Sequence, residues 1–312
     1  MTANDNKATR SEQREAARAK ARDLREARQK ADRRTRVVVR GGVLALIVGV
    51  IAGIAIVVVN LTNTPVITPS DKVYYPANMT WDNGIRLGQG LKVINKDDVS
   101  ASPAPSASAG STNVPNITVY LDYQCPVCGL FEEAQSEQIK AWVNKGAATV
   151  EIHPVAFLDG YLDGFGTDFS KNVANAAVCV ADKAPSSFFE YNSLMYTNQQ
   201  GEGTAGPSDE QLIGWAKDAK VGSALSEVES CIKTKRYVPW VVFEATMYKK
   251  DRSDTSSHWF EHIPGMPVDS IPDEQRGTPF VLVNGELVNP RAALFDAAAF
   301  AQVILRASTT TK

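Results

Sequence analysis

Nineteen consecutive residues without a charge, "GGVLALIVGVIAGIAIVVV", run from Gly41 to Val59. A helix of that length is close to the ~30 Å of a bilayer's hydrocarbon core, so the run divides the chain into parts that meet different solvents. The near-neutral total charge of −2 conceals the same division: residues 1–40 hold 13 Lys/Arg against 6 Asp/Glu, which leaves 20 against 29 for the remainder. Arg33, Arg34, Arg36 and Arg40 crowd one flank of the apolar run, and the other flank carries no charge until Asp71. The bias of basic residues toward the inner side of a membrane predicts a cytoplasmic tail at 1–40, a single transmembrane helix at 41–59 and an extracytoplasmic remainder.

A cleaved signal peptide is the competing reading. Its apolar region is usually ~7–15 residues long and precedes a small-x-small cleavage site, whereas here the run is longer and is followed by "NLTNTPVITPS". An uncleaved anchor in the cell membrane is therefore expected. The basic tail "SEQREAARAKARDLREARQKADRRTR" has Leu24 as its only large apolar residue, so it builds no core. A solvated helix or a disordered tail drawn to anionic lipid headgroups accounts for it, and no recognition motif accompanies the charge to suggest nucleic acid.

Residues 60–115 read as a linker with a folded piece inside. "SASPAPSASAGSTNVP" is built from small residues and proline and is expected to be extended. The segment at 73–94 instead carries Tyr74, Tyr75, Trp81, Leu87, Leu91, Val93 and Ile94. It predicts a small hairpin covering either the main domain or a partner, dimerisation included.

From Asn116 the pattern becomes that of an α/β domain. In "ITVYLD" apolar and polar residues alternate at strand period. From Pro126 to Lys145 the apolar stripe Val127, Leu130, Phe131, Ala134, Ile139 and Trp142 predicts a helix ended by Gly146, and "TVEIHPVAF" predicts another strand. About residues 168–250 read as helices, with Trp215, Trp240, Phe188 and Phe189 as their core and a break at Pro239. "PFVLVNGELVN" places Asn284-Gly285 between two apolar runs, a strong hairpin signal, and a last helix is expected to start at Pro290.

Cys125 and Cys128 lie in "LDYQCPVCGLF", where the first strand meets the first helix. There the first sulfur faces the positive end of the helix dipole and free backbone N–H groups, which favours its thiolate. Cys125 is thus the expected nucleophile and leaving group, Cys128 the resolving thiol, and Pro126 suits a first helical turn. A zinc site would need two more ligands in comparable spacing; Cys179 and Cys231 stand alone, and His153, His258 and His262 are the remaining candidates. A redox couple is the reading that remains, with no metal and no cofactor assigned.

"YLDYQCPVC" followed by "GTPFVLVNG" resembles the extracytoplasmic DsbA-like thiol-disulfide oxidoreductases of the thioredoxin superfamily. The resemblance spans about residues 116–306, leaving a short C-terminal tail at 307–312. It implies a thioredoxin-like fold with an inserted helical subdomain, and the active-site motif Cys125-Pro126-Val127-Cys128. It also implies a cis Thr278-Pro279 bond whose backbone docks an extended substrate. The implied activity is disulfide formation in exported cysteine-containing polypeptides, with reoxidation by a separate quinone-linked membrane oxidoreductase. Two rival readings stand beside it: a reductase or isomerase, and a non-catalytic binding module.

The sequence departs from that family at three places. Val127 occupies the position where strongly oxidising members carry a thiolate-stabilising histidine, which predicts a milder oxidant. Val119 stands where many thioredoxin-like proteins bury an acid; Asp122 is nearer the cysteines and reads either as a proton-handling group or as an ordinary strand-end carboxylate. Residues 249–277 are long for the family and suggest a lid or a substrate-selecting loop.

Cys179 and Cys231 are expected to form a structural disulfide, since unpaired thiols outside the cytoplasm are oxidised. Closing a loop of about fifty residues contributes roughly 4 kcal/mol. His258 and His262 flank Glu261 at a spacing of four, but neighbouring prolines favour a surface loop over a metal pair.

Overall fold

The computed structural model describes residues 73–80, 82–94, 114–161, 167–247, 263, 266, 271–272 and 275–310. The basic tail, the apolar run 41–59, His258, Glu261 and His262, and most of 249–277 lie outside these residues. Among the described residues no helix is long and apolar enough to cross a membrane.

Six strands form one mixed sheet: β1 (Ile85–Gly88), β2 (Lys92–Ile94), β3 (Asn116–Leu121), β4 (Thr149–Pro154), β5 (Phe280–Val283) and β6 (Glu286–Leu287), in the order β2-β1-β4-β3-β5-β6. β3 and β4 are parallel, joined across helix α1 (Pro126–Asn144), and every other pairing is antiparallel. The 73–94 segment belongs to this sheet. Its hairpin β1–β2 pairs with β4, Leu87 opposite Val150, and residues before it are pinned to the helical part. Asp182 accepts from the Ala77 N–H at 2.8 Å, and Arg236 lies 3.4 Å over the ring of Tyr74.

Alternation in the strands gives the sheet two different faces. Ile85, Leu87, Ile117, Val119, Leu121, Val150, Ile152, Val281 and Val283 belong to the main core, which α1 and the terminal helix also enter through Phe131, Ile139 and Phe300. Tyr120, Phe280 and Leu282 sit on the opposite face in a smaller core with Phe157, Ala245, Ile263 and Ile271. That second face also holds Arg86, Glu151 and His153, all buried.

Helices α2 (Phe157–Tyr161), α3 (Phe169–Lys183), α4 (Phe188–Thr197), α5 (Asp209–Asp218), α6 (Leu225–Lys233) and α7 (Val238–Met247) form the insert between β4 and β5. α3 is its axis. Ala174, Ala176, Ala177 and Ala181 are fully buried on it, and their small side chains let the other five helices of the insert approach closely. Ser208 starts α5 with a complete capping box to Gln211. Cys179 of α3 and Cys231 of α6 are joined by a disulfide that closes 52 residues of chain.

Local corrections to the sequence reading have simple causes. Strand β4 stops at Pro154, which has no N–H to continue the ladder, and Phe157 opens a helix instead. The break near Pro239 lies earlier, at positive-φ Lys235, and Pro239 occupies the first turn of α7. The last helix, α8 (Ala297–Thr310), begins seven residues after Pro290. Asp296 accepts from the N–H groups of Ala298 and Ala299 at 2.9 Å and caps it, while a 3-10 turn fills Arg291–Phe295. Trp215 is only partly buried, in contrast to Trp240, Phe188 and Phe189. Asn284 and Gly285 do form the β5–β6 turn, at φ 53° and 81°.

Candidate active site

The site lies where β3 ends and α1 begins. Cys125 is the N-cap of α1, in extended conformation, and no side chain caps the helix in its place. The first N–H groups of the helix are therefore left to the sulfur. Pro126 takes the first helical position, as its missing N–H permits. The two thiols, both free, differ in environment: Cys125 is 7% exposed and Cys128 1%.

Cys125 is held at about 6, well below an ordinary thiol. The largest cause is a hydrogen bond from the Cys128 thiol; hydrogen bonding at Thr278 and from the backbone N–H groups of Cys128 and Val127 adds to it, against the opposing effect of burial. Cys128 is pushed well above the usual thiol range, first by burial and then by donating to Cys125. The pair thus shares one proton, and it resides on the inner sulfur.

Thr278, distant in sequence, completes the front of the site. Its peptide bond to Pro279 is cis, and its carbonyl oxygen lies 3.6 Å from Cys125 Sγ. Arg291 donates to the same carbonyl at 3.1 Å. Gln199, at the end of α4, donates to the carbonyls of Tyr123 and Cys125 at 2.9 Å each, so the helical insert braces the cysteine turn. Sequence reasoning missed both Arg291 and Gln199, because each acts on a backbone carbonyl and no motif records that.

Asp122 is fully buried, unlike a solvated carboxylate at a strand end. One oxygen accepts from the Gln124 N–H and the Ser170 hydroxyl, the other from the Leu158 N–H. Burial raises it to about 7; these three hydrogen bonds pull it back, and the nearby Cys125 charge raises it further. Asp159 of α2, which accepts from the Ser170 and Lys171 N–H groups at the start of α3, is also raised to about 7, by burial and then by Asp122. On the other side Glu132 is buried and raised to about 7, with Asn192 donating to it. Val119, by contrast, is an ordinary buried apolar residue.

The apolar stripe assigned to α1 also needs correction. Val127 and Leu130 are 38% and 55% exposed, while Glu132 and Gln135 are buried. Periodicity marks an apolar face without saying what faces it, and here the exposed part surrounds the cysteines. Beside it a groove of about 620 Å³ between α1 and α4 is lined in part by Pro126, Gly129, Leu130, Tyr196 and Gln199.

A parallel strand pair crossed by a helix that opens on Cys-x-x-Cys, an antiparallel hairpin entered through a cis proline, and helices inserted between them define the architecture. The fold is thioredoxin-like. Residues 104–255 match the family model described as thioredoxin, a span that ends before Thr278. No curated protein matches the chain in sequence. Among solved structures, MdbA of Actinomyces oris, described as a thiol-disulfide oxidoreductase, superposes with a TM-score of 0.50 at 17% identity, over 78% of this chain and 94% of that one. The reduced DsbG of Mycobacterium tuberculosis, described as a disulfide bond oxidoreductase, gives 0.47 at 22% identity over 73% and 94%. BdbD of Bacillus subtilis gives 0.48 at 14% over 76% and 100%.

Proposed function

We propose that this thioredoxin-like domain is a protein thiol-disulfide oxidoreductase, held outside the cytoplasm by the span at 41–59, that forms disulfides in exported polypeptides. The observation that carries the reading is the asymmetry of the cysteines: an outer sulfur stable as thiolate beside an inner sulfur that holds the proton. In the oxidised form a substrate thiolate attacks Cys125 Sγ, making a mixed disulfide as the Cys125–Cys128 bond breaks and Cys128 takes up a proton. A second substrate thiolate then attacks the substrate sulfur of the mixed disulfide and expels Cys125 as thiolate. The substrate loses two electrons and the Cys125–Cys128 pair gains them.

The stability of the Cys125 thiolate drives this direction, because a good leaving group favours release of an oxidised product. Asp122 serves as the proton store for Cys128. Its carboxylate accepts from the Gln124 and Leu158 N–H groups and the Ser170 hydroxyl. The Thr278 carbonyl, held by Arg291, and the exposed Val127 and Leu130 offer an extended substrate backbone contact and apolar cover. Reoxidation falls to a separate quinone-linked membrane protein, since one span provides no quinone site.

Equilibration of the Cys125–Cys128 pair with glutathione buffers tests the assignment. With Val127 in place of a histidine, a potential toward the milder end of the oxidants, about −180 mV, is expected. A value near about −270 mV would replace the oxidase by a reductase, and failure to equilibrate would leave a binding module.

A further inference from the structure

On the sheet face away from the main core, β1 and β4 bring together charged groups that the redox chemistry does not use. Glu151 and His153 project from β4 to one side of the sheet, and Arg86 stands opposite Glu151 in the ladder. All three are buried. Asp82 arrives from the turn before β1, and its carboxylate, that of Glu151 and a ring nitrogen of His153 lie within 4.8 Å of one another.

His153 is 2% exposed, yet neither ring nitrogen has a hydrogen-bond partner. Nε2 lies 3.6 Å from Glu151 Oε1, too far for a hydrogen bond. Tyr120 stacks on the ring at 4.3 Å between centroids, which leaves the in-plane lone pair unengaged. A buried imidazole without partners costs on the order of 1–3 kcal/mol, and an ion is one of the few things that repays it.

The carboxylates tell the same story. Thr80 Oγ lies 2.6 Å from Asp82 Oδ1 and 2.5 Å from Glu151 Oε1. A hydroxyl has one proton to share among Asp82 Oδ1, Glu151 Oε1 and the Gly84 carbonyl oxygen at 3.2 Å, so at least one carboxylate oxygen goes without it. Arg86 occupies Oε2 of Glu151, with Nε at 2.7 Å, and so neutralises one carboxylate. Glu244 of α7, 2.9 Å from the Asn83 side chain, adds a third acid to the surroundings. Three carboxylates thus face one guanidinium and the His153 imidazole. The chain also makes room: a Cβ on Gly84 would sit 2.4 Å from Glu151 Cγ and 2.5 Å from His153 Nε2.

We propose that Asp82, Glu151 and His153 bind a divalent transition-metal cation, with one imidazole nitrogen and two carboxylate oxygens as its protein ligands. That mixed donor set suits zinc, with bonds of about 2.0–2.2 Å. Such an ion ties the β1–β2 hairpin to β4 and sits behind Tyr120, which packs edge-on against Phe280 next to Pro279. It is a structural cation, separate from the cysteines.

The test is titration of the full-length chain with Zn²⁺ by calorimetry after chelator treatment, with Cys125 and Cys128 closed as a disulfide so that neither thiolate competes for metal. One Zn²⁺ per chain is expected, bound at least tenfold more weakly by Asp82→Asn and by His153→Gln. Asp82→Asn carries the test alone should the buried His153 variant not fold. The double variant His258→Ala/His262→Ala should bind as the parent does. Absence of Zn²⁺ binding in the parent, equal affinity in Asp82→Asn, or loss confined to the His258/His262 variant would each overturn the site.

Discussion

Cys125 and Cys128 are the same residue type three positions apart, and their chemistry diverges because one faces the helix N-terminus while the other is sealed beneath it. Titration of the thiolate absorbance in the reduced protein is expected to show a midpoint near 6, assigned to Cys125 and abolished in Cys125→Ser. A midpoint above 8 would remove the basis of the proposed direction. The linkage sign follows from the depressed value: the reduced chain gains stability from this thiolate fully above the unfolded thiol's ~8.5, and loses it as pH falls through about 6.

Asp122 has the opposite sign. Its folded value of about 7 exceeds the unfolded ~3.9, so its contribution is fully present below about pH 4 and is lost as pH rises through 7. Comparing unfolding free energies of Asp122→Asn and the parent between pH 4 and 7 should show the difference moving in the variant's favour, by up to about 1.4 kcal/mol per pH unit. A difference constant with pH would mean that Asp122 does not titrate in this range. In stopped-flow oxidation of a thiol peptide, the same variant is expected to lose the rate dependence centred near pH 7.

At the scale of elements, the helical insert supports the cysteine turn through hydrogen bonds from Ser170, Tyr196 and Gln199, of which Gln199 alone reaches the Cys125 carbonyl. Gln199→Ala removes both hydrogen bonds to the turn, leaving two carbonyls to water, and is expected to slow reaction with substrate thiols several-fold with little change in potential. The Cys179–Cys231 disulfide acts on the insert alone. Replacing both with alanine should cost roughly 4 kcal/mol in denaturant unfolding while leaving the Cys125–Cys128 potential within about 30 mV of the parent, a shift that corresponds to ~1.4 kcal/mol. A larger shift would show that the insert tunes the redox pair.

For the whole molecule, the β1–β2 hairpin widens the sheet and covers one edge of β4, so the 73–94 segment is part of the folded domain rather than a free arm. Its contacts run to both halves: β4 in the sheet, and Asp182 at the end of α3. Membrane topology is tested at this scale. In intact cells a membrane-impermeant maleimide is expected to label Cys125 after mild reduction, whereas a cysteine placed in residues 1–40 should stay unlabelled. Labelling of the tail would reverse the orientation.

Local order in the chain was enough to identify the strand–turn–helix around Cys125, the Asn284-Gly285 hairpin, the helical stretch and the pairing of Cys179 with Cys231. Those features depend on periodicity, on positive-φ residues and on a count of cysteines, all of which are written along one dimension. It was not enough to show that Val127 and Leu130 face solvent, that Asp122 is buried among three donors, or that Arg291 and Gln199 hold the site's carbonyls. Nor did it show that Asp82 from the 73–94 segment meets Glu151 and His153 from β4. Burial and carbonyl contacts arise only when distant segments meet, and burial is what moves a carboxyl or thiol from its ordinary value. The two cysteines of the proposed couple were therefore legible in the sequence, and the direction in which each thiol is shifted depends on the packing around it.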